Sequence, residues 1–207
     1  MIATTLAMAS RLVSGATVHW HCSPRPEGQR IYFGNHSSHL DFIVIWSALP
    51  ADLRRLARPV AGSDYWEQGS VRRYLAGQVF HAVLIQRAKA GSSDAAAAAR
   101  VSIERMADAM GDRHSLIVFP EGTRGRNGEI GDFKSGLYHL SRWRPDVELI
   151  PVYLENLNRI LPKGEVLPVP MLSRVAFGPP LVANVNQHKQ EFLASARQAL
   201  IQLKGIQ

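Results

Sequence analysis

Cysteine is nearly missing: Cys22 is the only one in 207 residues. A single thiol excludes an internal disulfide, a multi-cysteine zinc site and a Cys-x-x-Cys redox pair, and it fits a reducing compartment. No partner pattern surrounds Cys22, so it reads as an inert thiol. Acids are also short, 17 against 24 Lys and Arg, for a net charge of +7. That excess favours anionic partners such as phosphate groups, acidic lipid surfaces or nucleic acid. Uninterrupted apolar runs of about 18 residues, the length a membrane-spanning helix needs, are absent, and a mean hydropathy of −0.09 excludes a chain built mostly of spans. No basic segment precedes the apolar start, so no secretory signal is expected. Two further absences bear on chemistry: there is no G-x-S-x-G nucleophile elbow, and no helix-turn-helix, zinc-finger or RNP signature speaks for nucleic acid.

What is present suits one α/β domain with a short appendage. Over residues 1–22, Ile2, Leu6, Ala9, Val13, Ala16 and Trp20 recur at spacings of four and three, with Thr5, Ser10, Arg11 and Ser14 mostly off that stripe. The pattern predicts an amphipathic helix, packed on its own domain or lying in a membrane interface. Residues 23–207 form the main domain. Strands are expected over 30–34, 58–61, 82–86, 116–119, 148–153 and 174–177. Helices are expected over 41–49, 70–78, 93–110, 135–143 and 187–204. Strands alternating with helices imply a single-domain α/β fold, a mostly parallel central sheet flanked by helices.

Two constellations could carry chemistry. His36 and Asp41 form an H-x4-D pair at the junction of a strand and a helix. Eight histidines and a similar number of aspartates give about 0.3 such pairs by chance, so context must support the motif. An imidazole in contact with a carboxylate has its tautomer fixed and its charged form stabilised, which suits a general base; an Asp cap beside a structural His is the other reading. With no nucleophile elbow, the nucleophile would be a substrate hydroxyl. The second constellation is Phe119-Pro120-Glu121-Gly122-Thr123-Arg124, followed by Phe133-Lys134-Ser135-Gly136. A strand running into a glycine loop with Arg124, Arg126 and Lys134 nearby suits a phosphate, or it is a solvated basic loop.

Together these blocks resemble the glycerolipid acyltransferases, the family of the 1-acylglycerol-3-phosphate acyltransferases. His36-x4-Asp41 is similar to its first block and Phe119 to Arg124 to its third. Val83-Leu84-Ile85-Gln86-Arg87 is similar to its second block and Ile150-Pro151-Val152 to its fourth, and the likeness runs on through Leu161-Pro162-Lys163-Gly164 to Leu181. The resemblance implies a glycerol-3-phosphate acyltransferase-like fold. His36 would be the general base and Asp41 its partner, with no acyl-enzyme. Arg87 and Arg124 would bind the acceptor phosphate, Glu121, Gly122 and Thr123 would shape the acceptor pocket, and Lys134 would be a further basic contact. It also implies no metal or redox cofactor, with acyl-CoA or acyl carrier protein as co-substrate. The chain departs from the family at two places: His81 stands where the second block usually opens with glycine, and Gly62 where many phosphatidate-forming members carry lysine.

The expected function is therefore acyl transfer to a lysophospholipid, with 1-acylglycerol-3-phosphate the leading acceptor and phosphatidate the product. The expected location is cytoplasmic, peripheral on the inner face of the membrane. The N-terminal stripe and the clusters Arg54-Arg55-Arg58 and Arg72-Arg73 point to an anionic membrane surface. A nonenzymatic binder of anionic lipid or another phosphate-bearing ligand is the alternative, and thioester hydrolysis a third reading. A binder needs the cations but has no use for a His–Asp pair. His39, His114 and His139 take no catalytic part in any of these readings.

Overall fold

The computed structural model describes residues 2–21, 28–38, 40–86, 95–125, 129–160, 172–181 and 187–206. Cys22, His39, Arg87, Arg126 and the 161–164 block lie outside them. In chain order the elements are α1 (Ile2–Ser14), β1 (Ala16–Trp20), β2 (Arg30–Gly34), α2 (Asp41–Ala48), α3 (Ala51–Leu56), β3 (Ala57–Gly62), α4 (Ser63–Trp66) and α5 (Ser70–Tyr74). A π turn, Leu75–Val79, follows α5. The series continues with β4 (Val83–Ile85), α6 (Ala95–Met110), β5 (Ser115–Val118), α7 (Gly136–Trp143), β6 (Glu148–Glu155), α8 (Leu157–Ile160), β7 (Ser173–Phe177) and α9 (Lys189–Gly205).

The strands form one seven-stranded sheet in the order β1-β7-β6-β2-β5-β3-β4. Five of them, β6 to β4, run parallel; β7 is antiparallel to β6, and β1 is parallel to β7. Every residue of β2 is buried, as befits a central parallel strand covered on both faces. Alternation divides its side chains between two cores. Ile31 and Phe33 join Leu116 and Val118 under α6, α7 and α9, while Tyr32 joins Ile117, Ile150 and Val152 under α1, α2 and α3. On α6 the buried Ile103, Met106, Ala107 and Met110 share one face, and on α9 Phe192, Ala196, Leu200 and Leu203 do. Each large aliphatic side chain so buried contributes roughly 1.5–3 kcal/mol. At the end of α6, Gln29 donates to the Met110 carbonyl, Arg58 to the Ala109 carbonyl and Arg144 to the carbonyl of Gly111 just beyond it; the two arginines are cations favourably placed at a helix C-terminus.

The N-terminal helix is shorter than its stripe predicted. It ends at Ser14, Gly15 turns the chain at φ 51°, and residues 16–20 enter the sheet as β1 instead of continuing the helix to residue 22. Its buried face also differs: Ala7 and Ser14 are buried with Ala3 and Ser10 beside them, whereas Met8 and Leu12 are exposed. Small residues let α1 lie close on α2, where the Arg11 Nε donates to the Ser47 carbonyl at 2.7 Å. The helix expected over 70–78 changes pitch midway. The Phe80 N–H bonds to the Leu75 carbonyl five residues back at 2.9 Å, and Ala82 N–H to Ala76 O at 2.7 Å. Beyond this turn His81 sits at φ 47°, a left-handed conformation that glycine adopts without strain, which accounts physically for the glycine usual at that position of the block.

Candidate active site

β2 and β5 are parallel neighbours, with Phe33 level with Val118. The helix that follows β2, α2, packs on one face of the sheet, and the helix that follows β5, α7, packs on the other. A crevice opens where adjacent strands send their chains to opposite faces, and open α/β sheets bind ligands there, beyond the carboxyl ends of the strands. His36 and the 119–125 loop both lie at this point.

The chain leaving β2 is tied down first by Asn35. Its side chain donates to the Leu154 carbonyl at 2.9 Å and accepts from the Leu154 N–H at 2.8 Å, which prolongs the pairing with β6 by one side chain. Preceding it, Gly34 has no room for a Cβ: one would stand 3.0 Å from Val152 O and 3.3–3.4 Å from Ile45 and Phe119. The turn then closes on the first residue of α2. Asp41 Oδ2 accepts from His36 Nδ1 at 2.8 Å, from Ser37 N–H at 2.6 Å and from Ser38 N–H at 2.8 Å. Hydrogen bonds to a charged group contribute roughly 1.5–3 kcal/mol each, so this carboxylate organises the whole turn. It is fully buried, while 16% of the His36 side chain is exposed. An acceptor-only oxygen opposite Nδ1 makes that nitrogen the donor and leaves Nε2 as the basic atom.

The third block grips the histidine from the neighbouring strand. Glu121 is buried, and its two oxygens accept from the His36 N–H at 2.8 Å and the Gly131 N–H at 2.9 Å. Gly125 N–H donates to the His36 carbonyl at 2.8 Å. Burial raises the Glu121 carboxyl above the usual carboxylate value, opposed by these two N–H donors and by His36. Gly131 fits closely beside it, where a Cβ would stand 3.0 Å from Oε2. The imidazole also lies flat on the ring of Phe119, with centroids 4.5 Å apart and planes 20° apart.

Cations complete the site. Gly122 sits at φ 70°, and the Lys134 side chain crosses it so closely that a Cβ would meet Cδ and Nζ at 3.0 Å. Lys134 is anchored by its own N–H to the Pro120 carbonyl at 2.9 Å. Among the described residues no carboxylate pairs with Arg124 or Lys134. Thr123 is exposed on the same loop, and Gly62 closes β3 one strand further along the sheet.

The structure thus brings together His36, Asp41, Glu121, Gly122, Thr123, Arg124 and Lys134; Arg87, expected among them, falls outside the described residues. Glu121 faces backbone on both oxygens, accepting from the His36 N–H in the histidine turn and from the Gly131 N–H outside it. Asn35 and Phe119 are the contributors that sequence reasoning missed, although Phe119 opens a block it had singled out.

Comparison with known proteins agrees with this arrangement. The acyltransferase family model matches residues 16–155, a stretch that contains every site residue above. A 1-acyl-sn-glycerol-3-phosphate acyltransferase from Limnanthes douglasii is 28% identical over 172 residues, 82% of this chain and 56% of that protein. The alpha form of the enzyme of that name from Homo sapiens is 28% identical over 142 residues, 68% of this chain and 45% of that one. The chain spans about half the length of the curated relatives it matches. Among solved structures, the 1-acyl-sn-glycerophosphate (LPA) acyltransferase PlsC from Thermotoga maritima shares the fold, with a TM-score of 0.72 at 18% identity over 100% of this chain and 80% of that one.

Proposed function

The chain belongs to the acyltransferase family, and from that premise we propose that it transfers a fatty acyl group from an acyl thioester to the free hydroxyl of a lysophospholipid, with His36 and Asp41 as the general-base pair. The observation that carries this reading is the His36 Nδ1–Asp41 Oδ2 bond of 2.8 Å beyond the carboxyl ends of β2 and β5. Nε2 takes the proton of the acceptor hydroxyl as its oxygen attacks the thioester carbonyl. When the tetrahedral adduct collapses the C–S bond breaks, and the imidazolium returns its proton to the leaving thiolate. Asp41 balances the charge on the ring in between, so no acyl-enzyme is needed. The step requires no metal or redox group.

Arg124 and Lys134 hold the phosphate of the acceptor, joined by Arg87 as the resemblance implies. The leading acceptor is 1-acylglycerol-3-phosphate, the substrate that the relatives' names print, and acyl-CoA or acyl carrier protein presents the thioester. Gly62 offers no cation at the end of β3, so in this chain more of the phosphate's charge falls to Arg124 and Lys134. The enzyme works at an anionic membrane surface on the cytoplasmic side. Supporting this, Met8 and Leu12 of α1 and Val71 and Tyr74 of α5 are exposed, the last two beside Arg72 and Arg73. None of the described helices is long and apolar enough to cross a membrane.

The test is transfer of labelled acyl groups from both donor types to a panel of lysolipids, with and without a phosphate monoester. An acylated lipid that forms fastest from the phosphate monoester is expected, with Arg124→Ala raising the acceptor KM about tenfold or more, the loss of roughly one charge-assisted contact. Release of free fatty acid at the same rate with and without acceptor would replace transfer by hydrolysis.

A further inference from the structure

The His36–Asp41 bond holds the imidazole at one point only. A ring held by a single hydrogen bond can rock about that bond, and each degree of rocking swings Nε2 away from the hydroxyl it must meet. The bonds from Glu121 and Gly125 reach the His36 backbone and leave the ring plane open. What meets the ring plane is Phe119, 4.5 Å away and 20° from parallel. Its position is itself determined by the fold: it follows β5 directly, and the missing side chain of Gly34 on β2 leaves space for its Cε1 edge, which a Cβ there would approach to 3.4 Å.

We infer that Phe119 is a positioning residue for catalysis: its ring fixes the plane of the His36 imidazole, and so the direction of Nε2, and offers a π face to the imidazolium formed when the proton is taken. The inference rests on His36 as the base. It assigns to the first residue of the third block a task separate from those of Glu121, which holds the histidine backbone, and Arg124, which faces the phosphate.

The experiment compares wild type with Phe119→Leu and Phe119→Tyr, using steady-state kinetics and NMR of the histidine ring protons, with the His36 signals identified by their loss in His36→Ala. Phe119→Leu should lower kcat about 10- to 100-fold, a fraction of the full general-base effect, with both KM values within about twofold. It should also abolish the upfield ring-current shift of the His36 protons. Phe119→Tyr keeps the ring and should restore both kcat and the shift. Should Phe119→Leu fail to fold, Phe119→Met fills similar space without a ring and carries the same expectation. Wild-type kcat in a folded ringless variant, or an unchanged His36 shift, would overturn the inference. Full turnover by His36→Ala would instead remove the base reading beneath it, an outcome told apart because the ring-current shift in wild type reports the stack without any turnover.

Discussion

A carboxylate oxygen that accepts three N–H donors has no freedom to turn, and Asp41 therefore acts as part of the framework of the 36–41 turn as well as the partner of His36. Glu121 does the same from the other strand, which separates two views of that residue. If it shaped the acceptor pocket, Glu121→Gln would raise the acceptor KM. Because its oxygens accept from His36 N–H and Gly131 N–H, and an amide presents only one acceptor oxygen, we expect kcat to fall with KM nearly unchanged. The pH dependence follows the same residue. Burial raises the folded-state value of Glu121, so its contribution to stability is full below the ordinary carboxylate range and is lost as pH rises through the folded value. Denaturant titrations of Glu121→Gln across that range should lack this component. His81 makes a simpler case. At φ 47° a side chain is strained, and His81→Gly should raise stability by about 0.5–1 kcal/mol, read as a higher Tm.

At the scale of elements, the strongly patterned segments were legible. β2 matches its expected bounds of 30–34, β5 at 115–118 lies within one residue of the expected 116–119, and α6 ends at Met110 as expected. β1 was not legible, for a definite reason: Ala16 and Trp20 stand four apart, as a helix stripe requires, yet Ala16, Val18 and Trp20 also alternate with Thr17 and His19. Gly15 decides between the two periods by breaking the helix, and β7 supplies the ladder, Ala16 against Ser173 through Trp20 against Phe177. The face of α1 escaped for a related reason, because Ala3, Ala7 and Ser10 are small enough to pack closely on α2, which leaves Leu6 and Val13 half-buried and Ile2, Met8 and Leu12 at the surface. That exposed side carries the membrane proposal. Leu12→Asp together with Met8→Asp should weaken sedimentation with anionic vesicles while leaving the melting temperature unchanged, because 84% of Leu12 and 66% of Met8 are already exposed. Undiminished vesicle binding would remove α1 from the membrane contact.

For the whole molecule, the order of motifs along the chain and the place of the site in the sheet express one constraint. A parallel sheet delivers the ends of β2 and β5 to the same rim, so residues 85 positions apart, His36 and Glu121, meet at 2.8 Å. The alternation of strands and helices made that fold class readable, and the blocks named residues that, Arg87 apart, the structure brings to one rim. Orientation was not readable: no spacing rule says that Glu121 turns to the backbone, that Asn35 extends the β6 ladder, or that Phe119 lies on the imidazole, since those depend on which strands become neighbours. Proton transfer by His36 is the task proposed for this shared rim. The most direct measurement is single-turnover acyl transfer by purified wild type and His36→Ala, each checked for folding by circular dichroism. A loss of about 10²- to 10⁴-fold in the chemical step, the range of general-base catalysis, is predicted with the fold intact; a folded His36→Ala that transfers acyl groups at the wild-type rate would contradict it.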